Sequence, residues 1–293
     1  MRLLILGGTG MLGRALVEAA RGRGHAALAL SREQADIEDA RRMHHWVETF
    51  RPEAVINCAA YTKVDLAEGD GREKAFAVNG SAVGNVVTAA ASVGARVLHV
   101  STDYVFDGTA REPYREDAPT NPLSVYGQSK LAGEREALLY GRSLVVRTSW
   151  LFGPGGPNFA ATMVRLIQDG KLPLRVVYDQ VGCPTYTPYL AEALLDLAPL
   201  GLTGVVHYRN REPVSWHGFA VEIARLWCGA AEEVVPVTTE EFPRPAPRPS
   251  YSVLDVTRFE EAAGRRVEAW EAGLADYLSR MRRQTRGDSK GRQ

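Results

Sequence analysis

The chain has 293 residues, 45% of them hydrophobic and 24% charged, with Lys plus Arg equal to Asp plus Glu at 35 each. That length can bury a large core and build two lobes, and zero formal net charge argues against a global field that draws the protein to nucleic acid or an anionic membrane. Cys58, Cys183 and Cys228 lie far apart without metal-ligand spacing, as expected of reduced thiols in the cytoplasm, and the apolar run in MRLLILGG is too short for a signal peptide or a membrane span.

In chain order, RLLILGG is an expected buried strand, an apolar run that ends in glycine. MLGRALVEAARGRG has helical periodicity and stops at Gly24. HAALAL is a second strand, DARRMHHWVETF a helix and AVINCAA a third strand. EKAFAVNGSAVGNVVTAAASVG reads as one long helix and RVLHVST as a fourth strand; a helix starts near Tyr126 and SLVVRTSW is the next strand. Apolar strands alternating with helices predict an α/β fold, a Rossmann-type doubly wound parallel sheet with both faces covered. Its ligands bind beyond the carboxyl ends of the strands.

Beyond Trp150 the pattern loosens. NFAATMVRLIQDG is an expected helix, LRVVYD a strand, TPYLAEALLDLA a helix, GVVHYR a strand and SWHGFAVEIARLW a helix, followed by the proline-rich EFPRPAPRPS. Residues 1–150, rejoined by 187–210, form the expected dinucleotide-binding domain. Residues 151–186 and 211–280 form a smaller C-terminal substrate-binding lobe, and the basic polar tail 281–293 is expected to be disordered.

Two motifs carry chemistry. Gly7, Gly10 and Gly13 follow the first strand at the spacing G-x-x-G-x-x-G. This suits a tight turn, a close approach of backbone to a pyrophosphate and packing of helix on strand, with the diphosphate facing the helix that opens at Met11 and Leu12. The acid expected about twenty residues on, at the ribose 2′-hydroxyl of NAD, is absent. Ser31 and Arg32 stand there, and a guanidinium suits the 2′-phosphate of NADPH; Glu33 is the competing acid that would favour NADH. The second motif is SVYGQSKLAGE, where Tyr126 and Lys130 are four residues apart and share one helix face. With thirty arginines against five lysines in the chain, a lysine at that position stands out.

The stretches GGTGMLG, VINCAAYTKVDLAE, STDYVFDG, PLSVYGQSKLAGE, RTSWLFGPGG and SVLD together resemble the extended short-chain dehydrogenases/reductases, and within them the dTDP-4-dehydrorhamnose reductase family. The resemblance covers the chain to about Leu278. It implies reduction of the C4 ketone of a dTDP-sugar, dTDP-6-deoxy-L-lyxo-4-hexulose, to dTDP-L-rhamnose. Tyr126 is then the proton donor, Lys130 the cation that lowers its pKa and holds the nicotinamide ribose, and Thr102 the third catalytic residue. Asp36 and Ile37 would border the adenine, and Ala59, Ala60 and Thr62 would lie along the cofactor. Val64, Asp103, Tyr104, Trp150 and Arg248 would join Thr102 at the sugar. NADPH is the preferred cofactor, with NADH as the alternative. Mg2+ and a homodimer enter by resemblance only, and no acidic cluster matches a metal site. Cys58 stands where the family usually has alanine, and Tyr186–Thr187–Pro188 departs from a usually polar run.

Two other readings stand beside this one. A related sugar-nucleotide reductase or epimerase, for example one acting on a GDP-sugar, would share the glycine loop and the Tyr–Lys pair, whereas AAYTKVDLAE favours the rhamnose family. A noncatalytic NADP-binding regulatory subunit, like that of methionine adenosyltransferase, would be favoured by loss of the tyrosine or the lysine, and both are present.

Overall fold

The computed structural model describes residues 1–290. Strand β1 (Arg2–Leu6) leads into helix α1 (Met11–Gly22), β2 (Ala26–Leu30), α2 (Ala40–Phe50) and β3 (Ala54–Asn57). Short helices α3 (Val64–Ala67) and α4 (Arg72–Phe76) precede α5 (Ala82–Ser92) and β4 (Arg96–Thr102). Then come α6 (Val125–Leu138), β5 (Ser143–Thr148), the short β6 (Leu151–Phe152) and α7 (Phe159–Gln168). The chain continues through β7 (Leu174–Val177), β8 (Val181–Gly182), β9 (Thr185–Tyr186), α8 (Thr187–Leu197) and β10 (Gly204–His207). Last are β11 (Val214–Ser215), α9 (Trp216–Cys228), β12 (Val234–Val237), α10 (Thr257–Ala263) and α11 (Trp270–Lys290).

Six strands form one parallel sheet in the order β10-β5-β4-β3-β1-β2. Every residue of β3 and β5 is buried, as is all of β1 except Arg2. Both faces of the sheet are therefore covered, which is why these strands are continuous apolar runs rather than alternating ones. On one face α1 and α8 pack with Leu3, Ile5 and Ile56; on the other α2 and α5 pack with Leu4, Leu6 and Val55. Strand order reverses at β1, whose neighbours β2 and β3 lie on opposite sides. A doubly wound sheet opens its ligand crevice at such a reversal.

A second hydrophobic cluster joins Phe152, Met163, Leu174, Tyr186, Phe219, Trp270 and Leu274. It is assembled from α7, α9 and α11 with three two-stranded sheets, β11-β8, β12-β7 and β6-β9. Between the clusters the chain returns to the first lobe through α8 and through β10, which pairs with β5.

Two local expectations change. The predicted long helix between β3 and β4 is interrupted by a π-helical turn at Ala77–Ser81. There the fully buried Asn79 binds both backbone groups of Tyr61 and the Ser129 hydroxyl, and its carbonyl lies where any Cβ on Gly133 would clash. Widened turns of this kind occur where a helix serves a neighbouring element, and this one ties the loop after β3 to α6. Helix α11 runs to Lys290, into the segment expected to be disordered from residue 281, and residues 291–293 lie outside the described residues. Met281 packs against the second-lobe cluster. Arg282 stacks over Trp227 and donates to the Leu226 and Trp227 carbonyls at the C-terminus of α9. Such contacts to the negative end of a helix favour order.

Candidate active site

Beyond the carboxyl ends of β1, β3 and β4 lies a cavity of about 840 Å3, walled by both lobes. The turn after β1 enters it at Gly7, whose φ of +75° lies in the left-handed region. A Cβ on Gly7 would stand 2.9 Å from the Ala59 nitrogen, and one on Gly13 only 2.3 Å from the Gly7 carbonyl oxygen. Gly10, by contrast, has only the Gly7 oxygen near its Cβ position, at 3.3 Å. Gly10 caps α1 without a side-chain hydrogen bond, and the first turn holds no acid. The N–H groups that begin every helix therefore face the cavity with no side-chain cap and no acid in the first turn. Gly7, Gly10, Met11, Leu12 and Gly13 all line it.

From β3 come Ala60, Thr62 and Val64, again on the cavity wall; Ala59 sits just behind, its N–H donating to Asn57. The end of β4 supplies Thr102, Asp103 and Tyr104, and α6 supplies Tyr126 and Lys130. Ser124 caps α6 by accepting from the Gly127 N–H. That start places Tyr126 and Lys130 one turn apart on the face turned to β4. Lys130 is 2% exposed and its Nζ donates to the Val100 carbonyl at 2.7 Å.

Burial pushes the Tyr126 phenol up to about 12; the Asp103 charge adds to the rise and a hydrogen bond with Thr102 opposes it. Lys130, expected to lower the phenol's pKa, is not among the groups that shift it here. Desolvation dominates and acts on the lysine too: Lys130 is pulled down to about 8, opposed by Glu134 and Cys58. Asp103, 2% exposed, is raised to about 7 by burial, against hydrogen bonds from Ser252, Thr102 and backbone.

Not every anticipated residue reaches the cavity. Ile37 is buried in the core beside Leu4 and Leu6, and Asp36 accepts from the Glu38 N–H and pairs with Arg32. The Arg32 side chain is 64% exposed, 3.3 Å from Asp36 and 3.8 Å from Glu38. Ser31 closes a turn with Gln34. This group lies together at the end of β2, outside the main cavity. Arg248 stands behind Tyr104, lowering its otherwise raised pKa, and donates to Asp65 at 2.9 Å and to the Ala246 carbonyl. Arg244 reaches the same carboxylate at 3.5 Å. Asp65 thus pins the proline-rich loop of the second lobe to the helix beside the cavity.

Sequence reasoning did not single out Trp216. Its ring stacks on Trp150 with centroids 3.5 Å apart and planes 5° apart, and both indoles line the cavity. Trp150 has a φ of +45°, a left-handed conformation that a non-glycine residue adopts only when its surroundings hold it there. No signal in SWHGF distinguishes Trp216 from an ordinary residue of an amphipathic helix. Gly8, whose Cβ would lie 2.8 Å from the Ala29 methyl, was also passed over although it stands inside the glycine motif.

The uncapped helix start, Ala60, Thr62, Tyr126 and Lys130 line one cavity, whose backbone donors and small-residue wall could hold a dinucleotide. Among the described residues, no group of three or more His, Cys, Asp or Glu side chains is placed to hold a metal ion.

The model of the RmlD substrate binding domain family matches residues 1–283. A dTDP-4-dehydrorhamnose reductase of Streptomyces griseus is 43% identical over 282 residues, covering 94% of this chain and 92% of that protein. The crystal structure of a dTDP-4-dehydrorhamnose reductase from Clostridium acetobutylicum superposes with a TM-score of 0.90 at 39% identity, over 96% of this chain and all of that one. The Bacillus anthracis dTDP-4-dehydrorhamnose reductase, solved in complex with NADP, gives 0.88 at 36% identity, over 95% of this chain and 99% of that one.

Proposed function

The chain belongs to the RmlD substrate binding domain family, and from that premise we propose that it reduces the C4 ketone of dTDP-4-dehydro-L-rhamnose to dTDP-L-rhamnose, using NADPH, in the cytoplasm. One observation carries the reading: Thr102, Tyr126 and Lys130 meet an uncapped, acid-free helix start in a single cavity. Bound there, NADPH supplies the hydride.

The chain's own residues do the rest. Reducing a ketone builds negative charge on the carbonyl oxygen, and a positioned phenol stabilises that charge and donates a proton to it. Tyr126 is this donor, with its high pKa keeping it protonated at neutral pH. Thr102 orients it by hydrogen bonding. Lys130, anchored on the Val100 carbonyl, would hold the nicotinamide ribose. Trp150 and Trp216 offer an apolar wall to the deoxysugar, and Tyr104, backed by Arg248, borders the remaining polar side. Oxidation of NADPH by a panel of dTDP- and GDP-linked 4-ketosugars tests the assignment; activity confined to GDP-sugars, or to none of the panel, removes it.

Lys130 makes the reaction sensitive to alkali. Its ammonium has a pKa lowered to about 8, so the charged form is complete below that value and is lost as pH rises through it. The profile of kcat/KM for NADPH should bend downward near pH 8. A profile flat through pH 8 would take the Lys130 ammonium out of the reaction.

Arg32 selects the cofactor by leaving Asp36 and Glu38 for the 2′-phosphate, where paired charge-assisted bonds form. Arg32→Ala should raise the KM for NADPH about tenfold, the scale of one such bond, and leave that for NADH unchanged. Equal effects on both cofactors would take Arg32 out of the site.

A further inference from the structure

The Asp103 carboxyl is used by nothing described so far except contact with the sugar. It is 2% exposed, and its Oδ2 has no partner in full hydrogen-bond geometry, the Ser252 hydroxyl standing near enough only to lower its pKa, although the residue lines the cavity. Its Oδ1 is 3.1 Å from the Thr102 Oγ1. That same hydroxyl accepts from the Tyr104 N–H at 3.2 Å and hydrogen-bonds with Tyr126. Three exchangeable groups thus stand in a row, Asp103, Thr102, Tyr126. A turn-capping aspartate explains the backbone contacts, but not a second oxygen buried without a partner, because capping carboxylates normally have both oxygens paired or solvated.

We propose that Asp103 is a proton store that reloads Tyr126 through the Thr102 hydroxyl after each reduction. This rests on the ketone-reductase reading. Donation by Tyr126 to the new alkoxide leaves a phenolate. The Thr102 O–H bond breaks as its proton passes to that phenolate, and the Asp103 carboxylic acid gives its own proton to Thr102 Oγ1. Tyr126 and Thr102 are restored and Asp103 is left as a carboxylate. A proton from water in the cavity then re-forms the acid, so one proton is consumed per ketone reduced.

The surroundings suit an acid that is part-loaded near neutrality. Facing Asp103 are Tyr104 from its own turn, Tyr126 from α6, Cys183 from the β8–β9 connection and the Ser252 hydroxyl. The nearby cations are turned elsewhere, Lys130 to the Val100 carbonyl and Arg248 to Asp65. With no cation paired to it, the buried carboxyl holds its proton up to about pH 7.

Asp103→Asn keeps the shape and the capping contacts but carries no acidic proton. Its kcat should fall at least about tenfold, within the range of acid–base effects, while the KM for NADPH stays within twofold. Imidazole buffer should raise kcat in this variant in proportion to its concentration and leave the parent unchanged. Infrared titration of the ligand-free parent should show a protonated-carboxyl carbonyl band that disappears as pH rises through neutrality and is missing from Asp103→Asn. Parental kcat in the variant, a loss confined to the sugar KM, or a lowered kcat that ignores buffer acid overturns the relay. So does a parent without the titrating band, a measurement that needs no substrate. A parent inactive on every ketosugar would instead defeat the functional reading.

Discussion

Replacing Tyr126 with phenylalanine should lower kcat by roughly 10²–10⁴-fold, the range of general acid catalysis, with folding and NADPH affinity intact. The variant loses one oxygen. The ring keeps its edge contact with Tyr104, at 5.8 Å between centroids, and its place beside Ala67, Ala75 and Val125. The hydroxyl contributes little to stability, because its side-chain hydrogen bond is to Thr102, which is also held by Asp103 and by the Tyr104 N–H. The loss should fall on kcat, since the proton is needed only as charge develops on the ketone oxygen. Steady-state kinetics and an NADPH titration check both halves. Parental turnover in the variant would remove Tyr126 from the chemistry.

The largest stability effect should come from Glu134, one turn beyond Lys130 on α6. Glu134 and Arg147 are paired at 2.9 and 2.7 Å with side chains 1% and 5% exposed. Glu134 also accepts from the Ser101 hydroxyl, and Arg147 lies over the Phe106 ring. The pair fastens α6 to the ends of β4 and β5, the two strands whose next residues enter the cavity. Glu134→Gln leaves a guanidinium buried without its counter-charge, a change that costs about 3–5 kcal/mol. Thermal melting should register this as a fall in Tm of about 5–8 °C. Adding Arg147→Met removes the stranded charge and should recover most of the loss. If the single variant melts within about 1 °C of the parent, less than about 1 kcal/mol for a chain of this size, the pair contributes far less than its burial implies.

Features set by local chemistry were legible from sequence. The glycine loop could be recognised because a left-handed turn at Gly7 and a helix start packed against it at Gly13 are requirements of a few adjacent residues. The Tyr126–Lys130 pair could be placed because a four-residue step on a helix faces one side wherever that helix packs. The parallel sheet was readable because burial on both faces leaves uninterrupted apolar strands. What depends on distant chain segments was not readable. Trp216 meets Trp150 only because α9 folds back over the end of β5. The Arg32 guanidinium is drawn to Asp36 and Glu38 by a turn whose geometry follows from the packing of α2. Arg282 reaches the carbonyl end of α9 only because α11 packs beside it. Above all, the proton affinities at the site belong to the tertiary structure: sequence places an acid, a phenol and an ammonium side by side, but their desolvation decides that Tyr126 holds its proton while Asp103 and Lys130 titrate near neutrality.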